Sequence, residues 1–455
     1  MTPSTHGSGT SIGRRTFLTA LGVGGLALTT SACGTDGDSD DGDAAYLDSA
    51  GDPADASGSI DVWVLDEDAL HPVSQESLDR FFYTPESNVT ARLTDEPNDA
   101  YRDLLESSID TEERPDIFFN WGGGSIRPYV RAGLVEDLTP YFDEDPDFRD
   151  TFLPSVLEAG QIDGRYYGIP MRTMQPKLMF YNTAVFNEVG VDIPATWQEL
   201  LDAVDTFVDA GVTPVAVGGA DAWTLLMWVE YITDRLGGEQ VFLDIAEGTG
   251  EGWRHPVITE MVQSIRDLVD RGAFGHAFTS VAYDDSGPLL ETGQAAMMLS
   301  GSWEYTKFLN ADREFVHDRL AWGPFPVIDG GAGNPDNVAG NPTNYFSVHA
   351  RSPLKEVAIN YLRQEMGSDE YVQDLLDIGD IPAVADIEPL IEGHEHEAYF
   401  TFVYNMAANA PSFQLSWDQA IEQPQARPML EAIRSVFLGD MDADGFVQAN
   451  EDAAP

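Results

Sequence analysis

The sequence predicts an α/β protein of two domains whose sheets are mostly parallel. From Ser59 onward, short apolar segments of strand character alternate with amphipathic segments of helical spacing, an order typical of parallel sheets covered by helices. The chain from Ser59 to Pro455 is longer than the about 250–300 residues that one hydrophobic core supports. Hydrophobic residues make up 43% of the sequence and aromatic residues 11%, which is ordinary for globular proteins.

The first predicted domain begins with three strands and the two helices between them. The segment "SIDVWVL" alternates apolar and polar residues, as a half-buried strand does, and "PDIFFN" is a short buried strand bounded by Pro115. The segment "SQESLDRFF" has helical spacing, with Ser74 as its expected N-cap. The other two elements are the strand "NVTARL" and the helix "AYRDLLESSI".

The rest of the chain continues this alternation without an internal sequence repeat. Two apolar strands flank Pro170 and Pro176, and the next helix is expected to be capped by Thr196 and ended by Gly211. Later strands are expected at "TPVAVGG", "GQAAMMLSGSW" and "NYFSVHA". Later helices are expected at "AWTLLMWVEYITDRLGG", "PVITEMVQSIRDLVDRGAF" and "PLKEVAINYLRQEM", and two more around "QLSWDQ".

Residues 1–32 have the organisation of an export signal. Arg14 and Arg15 precede an uncharged run from Thr16 to Ala32, which is shorter than the about 20 apolar residues that a membrane-spanning helix needs. The paired arginines favour the twin-arginine route. The segment resembles a bacterial lipoprotein signal, in which the cysteine after the small residues is lipidated; here that residue is Cys33, the only cysteine. The alternative for Cys33 is an inert buried thiol.

Residues 33–58 are predicted to be a disordered acidic tether between this anchor and the folded body. After Cys33 they contain eight Asp, no Lys or Arg and a single aromatic residue. A segment with so little apolar surface cannot fold alone, and its like charges keep it extended. We therefore expect a lipid-anchored protein whose folded body stands away from the membrane.

The charge of the chain argues against nucleic acid as a partner and against a charge-driven contact with anionic lipid. There are 24 basic and 78 acidic residues, a formal net charge of -54, whereas nucleic acid and anionic lipid both require a basic surface. Only three residues are lysines, namely Lys177, Lys307 and Lys355. A strongly acidic, lysine-poor surface suits a salty exterior, where screening reduces the repulsion between like charges.

Five stretches in order carry a resemblance to a known family: "RPDIFFNWGGGSIRPYVRAGLVEDLTP", "GRYYGIPMRTMQPKLMFYNTAVFNEVGVDIPATWQELL", "GQAAMMLSGSWEYTKF", "NYFSVHARSP" and "IGDIPAVAD". Their order resembles that of the extracellular solute-binding proteins of carbohydrate ABC transporters, the maltose-binding-protein-like family 1. The resemblance implies a periplasmic-binding-protein-like fold, in which a hinge joins two discontinuous α/β lobes around a ligand cleft. It implies a first lobe of residues 59–170 plus 338–385 and a second lobe of residues 171–337 plus 386–455. The crossovers are expected near 169–171, 338–344 and 382–386.

The resemblance also implies a sugar site between the lobes. Aromatic rings cover the C–H faces of a sugar, while carboxylates and amides pair its hydroxyl groups. The Trp residues that match binding positions of the family are Trp121, Trp223, Trp303 and Trp417. The polar candidates are Asp66, Gln175, Asn344 and Asp418, with Gln419 beside it. The alternative for each Trp is a place in a core, and for each polar residue a solvated turn.

One segment matches a metal-binding motif. The stretch "DMDADGFVQANE" fits the calcium loop of an EF-hand, with Asp440, Asp442 and Asp444 as oxygen donors and Glu451 as the closing carboxylate. The family commonly has an acidic helix start here, and abundant Asp makes a chance match easier, so no metal site is predicted. His394 and His396 have no third ligand nearby in sequence, and a solvent loop is expected for them.

The predicted function is capture of a ligand rather than catalysis. We expect a monomeric exported lipoprotein on the outer face of the cytoplasmic membrane. It would bind a mono- or oligosaccharide and deliver it to the transmembrane permease subunits of an ABC importer. No enzyme activity, cofactor or nucleic-acid partner is expected. Two alternatives remain: a binding protein for a non-sugar solute such as a peptide or polyamine, and a secreted glycoside hydrolase, which needs two carboxylates about 5–9.5 Å apart.

Overall fold

The computed structural model describes residues 55–454. The predicted signal, the predicted anchor Cys33 and nearly all of the predicted tether lie outside the described residues. The described residues all belong to one compact unit. Among them, no helix combines the length and the apolar character that crossing a bilayer requires.

The described part of the chain contains thirteen strands and twenty-one α-helices. Strands β1 to β13 are Gly58–Leu65, Val89–Glu96, Ile117–Asn120, Gln161–Ile162, Arg165–Tyr166, Ile169–Pro170, Gln175–Asn182, Thr213–Ala216, Ala295–Gly301, Leu320–Gly323, Val338–Asn341, Tyr345–Val348 and Phe413–Leu415. Helices α1 to α21 are Leu70–Phe82, Asn98–Ser108, Arg127–Arg131, Thr139–Glu144, Pro146–Asp150, Pro154–Ala159, Thr183–Val189, Trp197–Asp209, Ala222–Gly237, Gln240–Glu247, Pro256–Asp270, Tyr283–Glu291, Trp303–Ala311, Arg313–Asp318, Lys355–Glu365, Asp369–Asp377, Glu388–Ile391, Glu397–Ala408, Trp417–Ala420, Gln423–Leu438 and Ala443–Ala453.

The strands form two main sheets, and we call each sheet with its helices a lobe. The first sheet has the order β2-β1-β3-β12-β6, and the second has the order β13-β11-β7-β9-β8, with β10 also paired to β7. In the first sheet only β12 runs against the other strands, and in the second only β7 does. The prediction of mostly parallel sheets therefore holds for the direction of the strands. One reversed strand lies in the interior of each sheet, so five of the nine strand pairings in these two sheets are antiparallel.

Each reversed strand directly follows a segment that crosses from one sheet to the other. Residues 171–174 lead from β6 to β7, and residues 342–344 lead from β11 to β12. A chain that arrives from the neighbouring lobe enters at the edge where the other strands end, so it must run in the opposite direction. The carboxyl ends of the remaining strands in both sheets consequently face the space between the lobes.

The two crossing segments lie side by side with a third stretch of chain. Met171 donates its amide hydrogen to the carbonyl of Asn344 (3.0 Å), and Met174 donates to the carbonyl of Ile381 (3.0 Å). The first sheet is re-entered only at β12, because β11 pairs with β7 of the second sheet. In this structure β11, at residues 338–341, thus lies in the second lobe, whereas the prediction began the return to the first lobe at residue 338.

Local signals explain where some helices begin. Thr196 caps α8 in a capping box with Glu199, as the sequence predicts. Ser74 does not cap α1, which begins earlier at Leu70 because Leu70 and Val73 add a turn to the buried face of this helix. Ser74 is therefore an interior, buried residue of α1, and its predicted capping role is wrong.

Candidate ligand-binding site

A cavity of about 290 Å³ lies between the two lobes, where the strands of both sheets end. The first lobe contributes residues that follow β1, β2 and β3, and the second lobe contributes residues of α9, α12, α13 and α19. Residues at the crossing segments and at the strand ends beside them, Gln175, Asn341 and Asn344, complete the lining. The volume is close to the lower limit of the about 300–1,000 Å³ that is typical of small-molecule sites.

Three aromatic rings form the wall of the cavity in the second lobe. The ring centroid of Trp223 lies 4.6 Å from that of Tyr283 and 6.3 Å from that of Trp303. The indole Nε1 of Trp303 donates a hydrogen bond to the Tyr283 hydroxyl (2.7 Å), and the Tyr283 amide donates to the carboxylate of Asp221 (2.7 Å). The rings therefore form one fixed apolar surface, of the kind that packs on the C–H face of a ring-shaped ligand.

A buried carboxyl group, Glu304, holds this wall from behind. The Tyr283 hydroxyl and the Ser300 hydroxyl both donate to Oε2 of Glu304, each over 2.9 Å. Burial raises the pKa of Glu304 above its usual 4.5, and the nearby ammonium of Lys307 opposes this shift. Burial also raises the pKa of Tyr283, which keeps its hydroxyl protonated and able to donate. The chain of hydrogen bonds Trp303, Tyr283, Glu304 thus fixes the orientation of two rings that face the cavity.

On the opposite wall, Arg102 of α2 covers the ring of Trp121. Its Cζ atom lies 4.0 Å from the ring centroid, a cation–π geometry. Its Nη2 atom lies 3.7 Å from Oδ2 of Asp418, which belongs to α19 of the second lobe. Arg102 therefore bridges the two lobes across the cavity.

The floor contains a buried ion pair between Lys177 of β7 and Glu230 of α9. The side chains are 3% and 0% exposed, and Nζ of Lys177 donates to Oε2 of Glu230. The other oxygen of Glu230 accepts from the amide of Trp417 (2.9 Å). Burial raises the pKa of Glu230, while Lys177 and the Trp417 amide oppose the shift. Removal of either partner would strongly destabilise the fold, because a buried charge without a counter-charge is unfavourable.

Amide side chains of the floor carry polar atoms that lack a partner. Within the described lining, Oδ1 of Asn341, Nδ2 of Asn344 and Oε1 of Gln419 are buried and make no hydrogen bond. The Nδ2 group of Asn341 donates to Oε1 of Gln175 (3.2 Å), so the amides are held in place. An unpaired buried polar group costs about 1–3 kcal/mol, so these three atoms destabilise the floor until they gain a hydrogen-bond partner.

The match to a known family decides what kind of cavity this is. The sequence pattern of the bacterial extracellular solute-binding protein family matches residues 71–363 of the chain. The chain belongs to this family. The maltose-binding-protein-like resemblance is thereby confirmed, and the extracellular character of the family agrees with the predicted export.

Curated relatives of this solute-binding protein match it over part of their length. The xylose/arabinose-binding protein XacG of Haloferax volcanii is 27% identical over 217 residues, which is 47% of this chain and 46% of the relative. The osmoprotective compounds-binding protein GgtB of Synechocystis sp. is 27% identical over 142 residues, 30% of this chain and 32% of the relative. The matches thus span less than half the length of these two relatives.

Solved structures resemble the solute-binding protein over nearly their whole length. One comes from work on xylan utilization by the thermophilic bacterium Caldanaerobius polysaccharolyticus; it has a TM-score of 0.78 and 26% identity and covers 87% of this chain and 99% of that one. A chitin oligosaccharide binding protein has a TM-score of 0.76 and 21% identity, and the match covers 87% of this chain and 98% of that one. The two-lobed fold predicted from the sequence is confirmed.

Most of the residues predicted for the ligand site of this solute-binding protein line one cavity. They come from both lobes and from the crossing region, and they are Asp66, Trp121, Gln175, Trp223, Trp303, Asn344 and Asp418. Gln419 also lines the cavity. Their contact with a ligand remains a prediction.

Trp417 does not line the cavity, and the prediction that it forms a ligand platform needs correction. Its side chain is completely buried in the core of the second lobe. Its ring stacks on Phe242, with centroids 4.5 Å apart and planes 5° apart, and its Nε1 donates to Gln414 (2.8 Å). The short helix α19 points Trp417 inward, while the next two residues reach the cavity.

Several residues of the cavity were not predicted from the sequence. They are Arg102, Lys177, Tyr283, Lys307 and Asn341. The sequence does hold one signal, because two of its three lysines line this cavity. The aromatic and arginine residues carry no comparable signal, since the partners that give them a role come from distant parts of the chain.

In the two segments considered as metal motifs, the acidic and histidine side chains take part in helix capping, an ion pair and a hydrogen bond. Asp442 caps α21 by accepting from the amide of Gly445, and Asp444 lies in the first turn of that helix. Glu451 pairs with Arg254 in an ion pair. Residues 443–451 therefore form most of α21 instead of a calcium loop with Asp440. The prediction that His396 lies in a solvent loop is wrong: it is 7% exposed and its Nδ1 atom lies 3.0 Å from the Tyr305 hydroxyl.

Proposed function

We propose that the protein is the substrate-binding component of an ABC importer and captures a mono- or oligosaccharide between its two lobes. The closed protein would then deliver the sugar to the transmembrane permease subunits. The observation that carries this proposal is the composition of the cavity. A fixed aromatic wall from one lobe faces a floor of buried amide groups in which three polar atoms lack a partner, and a sugar ring offers both C–H faces and hydroxyl groups to such a site.

The names of similar proteins support a saccharide ligand. XacG is a xylose/arabinose-binding protein, and the structure with 26% identity comes from work on xylan utilization. Pentoses and their oligomers are therefore the first ligands to test. They present both C–H faces and hydroxyl groups to the site.

Movement of the lobes would couple capture to delivery. Residues 171–174 and 342–344 connect the sheets, so a change of their backbone dihedral angles would rotate one lobe against the other. The ion pair between Arg102 and Asp418 joins the two walls and would form or break during this movement. A bound ligand would favour the closed arrangement in proportion to its extra contacts there.

We also propose that Cys33 is lipidated after export through the twin-arginine route. A lipid on Cys33 would hold a monomeric protein at the outer face of the cytoplasmic membrane, with the residues between Cys33 and β1 as the tether. This proposal predicts that Cys33→Ser releases the protein into the culture medium. A membrane fraction that is unchanged by Cys33→Ser would contradict it.

Thermal unfolding in the presence of candidate ligands tests the sugar proposal. Xylose, arabinose, xylobiose, xylotriose, maltose and chitobiose should be compared with short peptides and polyamines. A saccharide at 100 times its dissociation constant should stabilise the protein by about 2.7 kcal/mol. Stabilisation by peptides or polyamines alone would contradict the proposal.

A matched pair of tryptophan variants then locates the site. Trp303→Ala should abolish the ligand-induced shift, because Trp303 forms part of the cavity wall. Trp197→Ala is the control, since Trp197 packs near Phe325 with ring centroids 6.1 Å apart and does not line the cavity. The control should unfold at a lower temperature and retain the shift.

A further inference from the structure

We infer that the cavity selects uncharged saccharides and rejects uronates, because each cationic side chain in its described lining is already paired with a carboxylate of the protein. This inference rests on the proposed function and narrows it to one class of sugar. Three cations line the cavity, namely Arg102, Lys177 and Lys307. The partner of each one decides whether it could be released to hold an anionic ligand.

Lys177 is the least available of the three cations. Its partner Glu230 is 0% exposed, so an anion that took Lys177 would leave a fully buried carboxylate without a counter-charge. An uncompensated buried charge is among the costliest defects in a folded protein. The ammonium therefore balances Glu230 and is not free for a ligand.

Arg102 is also paired, but at 3.7 Å from Asp418 and with its own side chain 23% exposed. Its guanidinium lies over Trp121 and beside Asp418, whose side chain is 7% exposed. A ligand carboxylate that displaced Asp418 would leave that group nearly buried and unpaired. Arg102 would then pair with the ligand instead of with Asp418, so no ion pair would be gained. The unpaired carboxylate of Asp418 would add a free-energy cost.

Lys307 is the one lining cation whose partner is exposed. Its Nζ donates to Oδ1 of Asp284 (2.7 Å), and the Asp284 side chain is 81% exposed. Its ammonium also lies 4.1 Å from the ring centroid of Tyr283. Exposed ion pairs are weak, so Lys307 is the position at which an anionic ligand would enter if the inference were wrong.

Two carboxylates in the described lining, Asp66 and Asp221, have no cationic partner, and Asp221 accepts a hydrogen bond from the Tyr283 amide. Asp66 has no hydrogen-bond or ion-pair partner for its side chain, whereas the neighbouring Glu67 accepts from the guanidinium of Arg172 (2.9 Å). A ligand hydroxyl can donate to Asp66. A uronate carboxylate near the same position would be repelled, because like charges brought together are unfavourable.

The unpartnered amide atoms of the floor favour hydroxyl groups over a carboxylate. Oδ1 of Asn341 and Oε1 of Gln419 require hydrogen-bond donors, and Nδ2 of Asn344 requires an acceptor. A hydroxyl group can serve as both donor and acceptor. A carboxylate only accepts, so it cannot pair an amide oxygen at the place where the neutral sugar offers a hydroxyl group.

Calorimetric titration with matched pairs of sugars tests the inference. The neutral probes are galactose, glucose and the galactose and glucose dimers, and the anionic probes are galacturonate, glucuronate and digalacturonate. Each uronate should bind at least about tenfold more weakly than its neutral counterpart. Equal or tighter binding of a uronate would overturn the inference. Failure of every neutral sugar as well, with xylose and its oligomers included, would instead contradict the proposed function and remove the basis of the inference.

Two aspartate variants separate a local cause from the overall negative charge. Asp66→Asn should reduce the preference for the neutral sugar several-fold, because it removes the carboxylate of the cavity whose side chain has no hydrogen-bond or ion-pair partner. Asp68→Asn is the matched control, since Asp68 is exposed and does not line the cavity, and it should keep the full preference. An equal loss in both variants would assign the preference to net charge and overturn the local explanation. Uronate binding that Lys307→Met abolishes would overturn the inference in the same way.

Discussion

The guanidinium of Arg102 covers one face of the Trp121 ring, with Cζ 4.0 Å from the ring centroid. That face cannot stack on a sugar while the guanidinium is in place. The aromatic wall of the second lobe, with Trp223 and Trp303, therefore presents the open stacking surface in this arrangement. Arg102 and Trp121 limit how far a bound saccharide can extend toward the first lobe.

Arg102→Ala should change the preference for ligand length. Loss of the side chain exposes the ring of Trp121, which then offers a second stacking surface to a trisaccharide but not to a monosaccharide bound at Trp303. A stacking contact of about 0.5–1 kcal/mol between the third sugar unit and the exposed ring corresponds to a roughly two- to fivefold rise in the ratio of trisaccharide to monosaccharide affinity. Titration calorimetry with xylose and xylotriose measures this ratio.

Arg131→Ala is the control for Arg102→Ala, because it removes an ion pair to Glu422 (2.7 Å) that also joins the lobes but does not line the cavity. Its affinity ratio should equal that of the unmodified protein. If both variants change the ratio equally, the effect comes from looser lobes and not from the face of Trp121.

Glu304→Gln should change how stability depends on pH. The pKa of Glu304 in the folded protein is raised above 4.5. Between pH 4.5 and this raised pKa, the folded protein therefore binds more protons than the unfolded chain. The contribution of this group to stability is therefore complete below about pH 4.5 and is lost as pH rises through the folded pKa. As pH rises through this range, the free energy of unfolding of the unmodified protein should fall relative to that of Glu304→Gln. The fall should be about 1.4 kcal/mol for each unit by which folding raises the pKa. Denaturant unfolding between pH 4 and 8 measures the difference, and a constant difference would contradict the prediction.

Lys177→Met should destabilise the fold by about 3–5 kcal/mol, because it strands the buried carboxylate of Glu230. The double variant Lys177→Met/Glu230→Gln removes both charges and should recover most of this loss. Equilibrium unfolding in urea reports both values. A double variant as unstable as the single one would show that packing, rather than the unpaired charge, dominates.

Trp417→Phe should lower stability and leave saccharide affinity unchanged. The ring lies in the core against Phe242, and the substitution leaves the side-chain oxygen of Gln414 without its donor. An unmade buried hydrogen bond costs about 1–3 kcal/mol. Trp303→Phe is the matched control, because it should reduce affinity. A tenfold loss of affinity in Trp417→Phe would restore the role that the sequence predicted for this residue.

Added salt should raise the melting temperature of the protein. The formal net charge of -54 produces repulsion between acidic groups across the surface. The screening length falls from about 10 Å at 0.1 M to about 3 Å at 1 M salt, which weakens this repulsion. Scanning calorimetry in 0.1 M and 1 M KCl measures the effect. A melting temperature that falls with salt would show that ion pairs outweigh the repulsion.

The sequence predicted those site residues that follow strands. Asp66 and Trp121 come directly after β1 and β3, and Trp303 comes after β9, so the common direction of the strands brings all three to one cavity. Thr196 was also predictable as a cap, because the capping box needs only neighbouring residues. In each case the physical cause lies within a few residues or in the shared orientation of parallel strands.

The remaining features depend on contacts between distant segments. Lys177 lies in a strand of apolar appearance, and its partner Glu230 is 53 residues away on α9. Arg102 obtains its role from Asp418, on the opposite lobe. For Trp417 the sequence indicates a loop beside the cavity, but not which way a four-residue helix turns each side chain. Such pairings follow from tertiary packing and have no local signature.

The helix α19 places a core residue and two cavity residues next to each other. Trp417 anchors the helix in the second lobe, and Asp418 and Gln419 reach the cavity from the same turn. Substitutions at positions 418 and 419 therefore risk disturbing the packing of Trp417. Asp66 and Lys307 stand on more exposed surfaces and can vary at less cost to folding. Homologues that have diverged in the sugars they import should accordingly differ first at positions 66 and 307, and last within this helix.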